Sequence, residues 1–294
     1  EMQARVLANI GEAYLNLKLY EKALSVLGRA AVLLAVPALM VPVIEIPLVL
    51  WARSRFVELN PDYLNDPPTI SRSINDPIVG APFADFILLI TALILMVMPV
   101  LIWSYALAIS RLTLSRPRRV LMYVLLGMLF IFQIIASTGM VLTTQFTFAI
   151  DHDKHMLGSY TFFAFQALTI FIAGLLCRTL FDEQQRHGIA DVDWQFRPPM
   201  HRFRFRFAML IMALVVLYGV LFVLKDHTLP ISDYIVQVAY TQCEVIVIAC
   251  YVLFLGSYAV DIHHMVRHDT LRLGGPQDAQ KAAAGKPARV AAEP

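Results

Sequence analysis

The chain of 294 residues is 58% hydrophobic and 16% charged, with a mean hydropathy of +0.64, whereas ordinary globular domains are about 25% charged. That composition excludes a soluble globular domain and points to an all-α, polytopic membrane protein. The net charge of +2 is spread without any pattern suited to nucleic acid. Cys177, Cys243 and Cys250 all lie in apolar segments, so no disulfide framework is indicated.

Residues 1–28 are the one soluble-looking piece ahead of the membrane. Gly11 and Tyr14, then Tyr20, Ala23 and Ala30, have the spacing of a helix pair and resemble a single tetratricopeptide repeat. One repeat cannot bury its own apolar face. The segment is therefore either the last repeat of a longer array, docking a protein partner, or an amphipathic helical cap.

A membrane domain over 29–265 follows, with six spans expected near 30–52, 83–109, 120–145, 156–180, 207–224 and 234–260. The first contains Pro37, Pro42 and Pro47, which predict a kinked helix. Residues 53–82, rich in Asn, Asp, Pro and Ser, read as a long loop. Of the 24 Lys and Arg, 19 fall on one side of this arrangement, which by the positive-inside rule places both termini in the cytoplasm. Within the fifth span's approach, Arg202, Arg204 and Arg206 alternate with Phe203, Phe205 and Phe207, a pattern suited to anionic lipid headgroups or to an interfacial anchor. The tail at 266–294 has the low-complexity composition of a disordered segment.

Chemistry concentrates in the sixth span. Residues 234–260 contain a single acidic or basic side chain, Glu244, and a carboxylate at that depth costs about 2.5–3.5 kcal/mol on insertion scales. Gln237, Glu244, Tyr251 and Tyr258 recur every seven residues, on one helix stripe. The fourth span offers His155, Ser159, Gln166 and Thr169, and the third Gln133, Ser137 and Thr144. Asp85, His155 and Glu45 fall in the outer half of their spans. Together these residues predict a polar cavity opening outward, with Glu244 and His155 central and Asp85, Glu45, Gln237, Ser159 and Gln166 in support. The bland reading of the same stripes is interhelical hydrogen bonding.

No phosphate loop, His-Glu-x-x-His or nucleophile elbow occurs. His152 and His155 have no third histidine nearby, the only candidate being His227 in the last outer loop, so neither a metal nor a cofactor is expected. Three functions fit the residues: a lipid-binding or lipid-organising protein, an enzyme with His155 as general base beside a carboxylate, and a proton-coupled transporter.

Three segments carry a resemblance. Pro68-Thr69-Ile70-Ser71 with Pro77 and Gly80, His155-Met156-Leu157-Gly158-Ser159, and Cys243-Glu244 within a span ending at Asp261 resemble, in order and position, motifs of the FRAG-type, damage-regulated autophagy modulator (DRAM) and SFK-type six-span family. Thr69 stands where a tyrosine is usual. The resemblance covers about residues 30–265 and implies a six-helix membrane protein with a lipid-related or regulatory role. It implies no settled enzymatic mechanism.

Overall fold

The computed structural model describes residues 35–189, 194, 196–225 and 233–268. The tetratricopeptide-like segment and the tail beyond 268 lie outside the described residues, as does His227. Among the described residues the fold is all helical. Six helices are long and apolar enough to cross a membrane.

Helix α1 is Ala35–Leu59; the short α2 is Ile70–Ser73. The four that follow are α3 (Pro77–Arg111), α4 (Arg116–Gln145), α5 (His152–His187) and α6 (Pro198–Leu224). The last span is divided into α7 (Asp233–Gly256) and α8 (Tyr258–His268). Since consecutive spans run up and down, the α1–α3, α4–α5 and α6–α7 connections share one end, called here the α2 end. The opposite end carries α8.

Several boundaries differ from those expected. Helix α1 continues through Pro37, Pro42 and Pro47 and past the apolar run to Leu59, where Arg55 and Glu58 pair one turn apart at 2.9 Å. The first loop is correspondingly short, and it holds a 3-10 turn (Pro61–Leu64) and α2. Helix α3 starts six residues before the expected span because Asp76 caps it, accepting from the Ile78 N–H at 2.9 Å, with Pro77 in its first turn. Asp151 caps α5 in the same way, accepting from the Lys154 N–H at 3.1 Å, and the Lys154 ammonium holds its carboxyl below the usual range. Helix α5 outruns its apolar stretch at the other end as well, where Arg178–Asp182 and Glu183–Arg186 pair along it.

Outward-facing Leu88, Leu95, Val216 and Val223 are exposed large hydrophobics, as lipid-facing helix surfaces require. Inward packing is tightest between α4 and α5. A Cβ on Gly158 would sit 2.6 Å from the Thr143 nitrogen, and one on Gly139 2.6 Å from the Phe162 nitrogen. The two backbones are in contact at these glycines, the small-residue packing that substitutes for a hydrophobic drive in lipid. Further along the pair, Gln133 and Gln166 exchange amide hydrogen bonds at 3.0 and 3.4 Å. Helix α6 is the least buried of the six.

Backbone contact at Gly158 leaves no room for a side chain. Gly158→Leu is expected to cost at least about 2 kcal/mol through overpacking, read as a lowered thermal midpoint in detergent. Gly127→Ala, at a glycine with no neighbouring atom within 4 Å of its Cβ position, should leave that midpoint unchanged or slightly raised.

Candidate functional site

The α1–α3 connection is folded back over the bundle. Thr69 caps α2, accepting from the Arg72 N–H at 3.1 Å, and Gly80 lets the chain cross α3, since a Cβ there would lie 2.1 Å from the Ile74 carbonyl oxygen. Asn75 Oδ1 accepts from the Ala149 N–H at 2.9 Å, tying this connection to the α4–α5 turn. Thr69, Ile70, Gly80 and Asn75 thereby hold α2 down on the helix ends.

Glu244 receives it. Its side chain is 3% exposed, and Oε2 accepts from the backbone N–H of Ile70 at 2.9 Å. The N–H groups of a short helix's first turn have no partner within the helix, so a carboxylate there satisfies an orphan donor and is itself satisfied. Arg53 donates to Gln242 at 3.5 Å near the same place. Two segments set apart by 174 residues, α2 and the glutamate of the last span, thus form one structural unit.

Glu244 also lines a small cavity of about 40 Å³, with Glu45, Ser71, Thr143, Thr144, Ser159 and apolar side chains. Beside it lies a groove of about 930 Å³, within the range of ligand sites. The two share Ser71, Ser159 and Phe163 in their linings. Phe163, Tyr218 and Phe222 supply aromatic walls to the groove, Gln237 and Tyr240 come from α7, and the α2 end brings the His152 ring, Lys225, and Arg72 with its ion-pair partner Asp66. Tyr218 and Tyr240 stack with centroids 5.2 Å apart and hydroxyls 3.3 Å apart.

Of the side chains expected to form a polar cavity, Glu244, Glu45, Ser159 and Gln237 line these two spaces. Asp85 does not. It is exposed on α3, on the opposite side of the helix from Phe83 and Ile87, the α3 residues that reach the inner cavity. Gln166 is taken by Gln133 and belongs to the α4–α5 contact. His155 is wholly buried, and its Nδ1 lies 2.9 Å from the carbonyl oxygens of both Thr143 and Phe146, closing the α4–α5 turn, with Phe148 packed on the ring. No carboxylate hydrogen-bonds His155 among the described residues, so the His–acid pair that an enzyme reading requires is not assembled there.

The α8 end holds a second polar cluster that sequence periodicity did not suggest. Arg204 is fully buried and ion-pairs with Asp261. Its Nε donates to Ser257 Oγ at 2.8 Å, and its guanidinium also donates to the Ser257 carbonyl at 2.7 Å. Ser257 is the break between α7 and α8, so Arg204 satisfies a carbonyl that the interrupted helix frees. Its guanidinium lies 4.0 Å from the Tyr258 ring centroid, and Tyr258, Tyr105 and Cys177 continue the network at 2.6 and 3.0 Å. Asp261 also accepts from the Arg197 N–H at 2.9 Å. Losing one partner of a buried, hydrogen-bonded ion pair typically costs 3–5 kcal/mol.

Arg204 therefore corrects the expected lipid-contacting triplet. The alternation of cation and aromatic has a period of two, but residues 200–207 are helical, and two residues on a helix are about 200° apart. Arg202 and Arg206 stay on the exposed face, where with Phe181, Phe203 and Phe207 they line a recess of about 690 Å³. Arg204 turns inward. The heptad of α7 is likewise cut short, since Tyr258 lies beyond the break at Ser257, whereas Tyr251 stays on the stripe and donates to the Phe163 carbonyl at 2.9 Å.

Six long apolar helices around buried polar clusters define a multi-pass integral membrane protein. The family model described as Frag1/DRAM/Sfk1/Cwh43P N-terminal domain matches residues 30–265, and the chain belongs to that family. No curated protein and no solved structure matches it.

Removing the acceptor under Ile70 should loosen α2. Glu244→Ala is expected to speed amide hydrogen exchange at residues 70–74 by about 5- to 150-fold, corresponding to the ~1–3 kcal/mol of an orphaned buried donor. Glu244→Gln, which keeps an acceptor, should leave most of that protection in place.

Proposed function

We propose that this protein binds a membrane lipid in the groove between α2, α5, α6 and α7, and that its family role is exercised through that lipid rather than through bond-making chemistry. The observation that carries this reading is the make-up of the groove. Aromatic and apolar walls from Phe163, Tyr218 and Phe222 suit acyl chains, and Arg72 and Lys225 stand where a phosphate would lie. Because α6 is the least buried span, a lipid could enter between helices without passing through water. The excess of Lys and Arg on the opposite side of the bundle supports placing the groove toward the non-cytoplasmic leaflet and the termini in the cytoplasm.

Arg202 and Arg206, one turn apart beside Phe203 and Phe207, fit acidic headgroups at the other membrane face, each cation contributing about 1 kcal/mol near the surface.

Lipid analysis of the purified protein by mass spectrometry tests both sites. Gly219 lines the groove and has no atom within 4 Å of its Cβ position, so Gly219→Trp should fill the groove without displacing a neighbour. Several-fold less retained lipid at an unchanged thermal midpoint is expected; full retention would reject the groove as the binding site. The R202Q/R206Q double variant should lose enrichment of acidic phospholipid while keeping the groove-bound species.

A further inference from the structure

The inner cavity beside the groove sets two carboxyl groups, Glu45 and Glu244, and the hydroxyls of Ser71, Thr143, Thr144 and Ser159 among apolar side chains. Glu244 offers a carboxylate already holding the Ile70 N–H. Thr143 and Thr144 donate their hydroxyl protons to carbonyls of their own helix, Thr143 to Gly139 at 2.9 Å and Thr144 to Met140 at 3.2 Å, which leaves their oxygens as acceptors. Glu45, on α1, is 2% exposed, and its Oε2 has no hydrogen-bond partner among the described residues. Among the described residues no Lys, Arg or His lines this space, whereas Arg72, His152 and Lys225 line the adjoining groove together with Asp66, which pairs with Arg72 at 3.4 Å.

An unpartnered carboxyl oxygen in such a place is costly, and a ligand that donates to it relieves that cost. The cavity's 40 Å³ holds a few non-hydrogen atoms. A primary ammonium fits that space and can donate three hydrogen bonds; a trimethylammonium is too large and can donate none. The cationic groups of the groove meanwhile suit a phosphate, and the groove adjoins the cavity at Ser71, Ser159 and Phe163.

We infer that the lipid is a phospholipid whose headgroup ends in a primary ammonium, with the phosphate at Arg72 and Lys225 and the ammonium in the inner cavity against Glu45. Glu45 is then the residue that selects the headgroup, and Glu244 chiefly holds α2 in place around it. This inference rests on the groove binding lipid at all.

The test is exchange of phospholipids of identical acyl chains onto delipidated full-length protein, read by native mass spectrometry. The headgroup series is ethanolamine, its mono- and dimethyl derivatives, and choline. Stepwise loss of affinity with N-methylation is expected, reaching about tenfold or more between ethanolamine and choline. Glu45→Gln should flatten the series while total lipid binding persists. Equal binding across the series by the unaltered protein overturns the headgroup assignment and leaves the groove standing, as does a series that Glu45→Gln leaves unchanged. Failure of every lipid to bind defeats the groove itself. Soluble phosphoethanolamine should not displace bound lipid; ready displacement would show a site for a free phosphoamine and overturn the lipid assignment.

Discussion

One hydrogen bond, from the Ile70 N–H to Glu244 at 2.9 Å, couples the surface of this protein to its interior. A short helix lying across helix ends has little apolar area to anchor it, and α2 buries only Ile70 and Ser73. A carboxylate sunk in the bundle has the complementary deficit, a charge without a donor. Each removes the other's cost, and the result is a roof over the inner cavity and one wall of the groove. Asn75 and Gly80 assist by tying the roof to the α4–α5 turn and to α3.

The two ends of the bundle handle buried polarity differently. At the α8 end, Arg204, Asp261, Ser257, Tyr258, Tyr105 and Cys177 are joined to one another, so the cluster is self-sufficient and contributes rigidity. At the α2 end, Glu45, which lines the inner cavity, has a carboxyl oxygen without a partner among the described residues. Among the described residues, buried polar atoms without a partner occur at both ends, His201 Nδ1 at the α8 end and Glu45 Oε2 toward the α2 end, and it is Glu45 that lines the inner cavity.

Much of the fold was legible in the sequence because membrane spans are set by length and apolarity alone, quantities that need no knowledge of packing. The three family motifs were legible as text, but their physics was not. His155-x-x-Gly158 closes a helical hairpin, through ring-to-carbonyl contacts at one residue and backbone contact at the other. The Pro68–Ser71 segment and Glu244 prove to be two halves of a single contact. Depth along a span says nothing about direction around the helix axis, and Asp85 faces outward on α3. The alternating neighbours of Arg204 read as a surface strip until the helical period is imposed, which turns Arg204 inward. Gln166 carried a signal consistent with either cavity or helix pairing, and Gln133 decided it.

The position of Arg204 has a consequence for biogenesis. Its partners, Ser257 and Asp261, are made more than fifty residues later, so α6 enters the bilayer before anything exists to neutralise that guanidinium. Lying in the second turn of α6, Arg204 can keep its charged group at the interface during this interval. It can turn inward only when α7 and α8 arrive. The contacts of Arg204 with Ser257 and Asp261 can therefore close only once the last helix has been made.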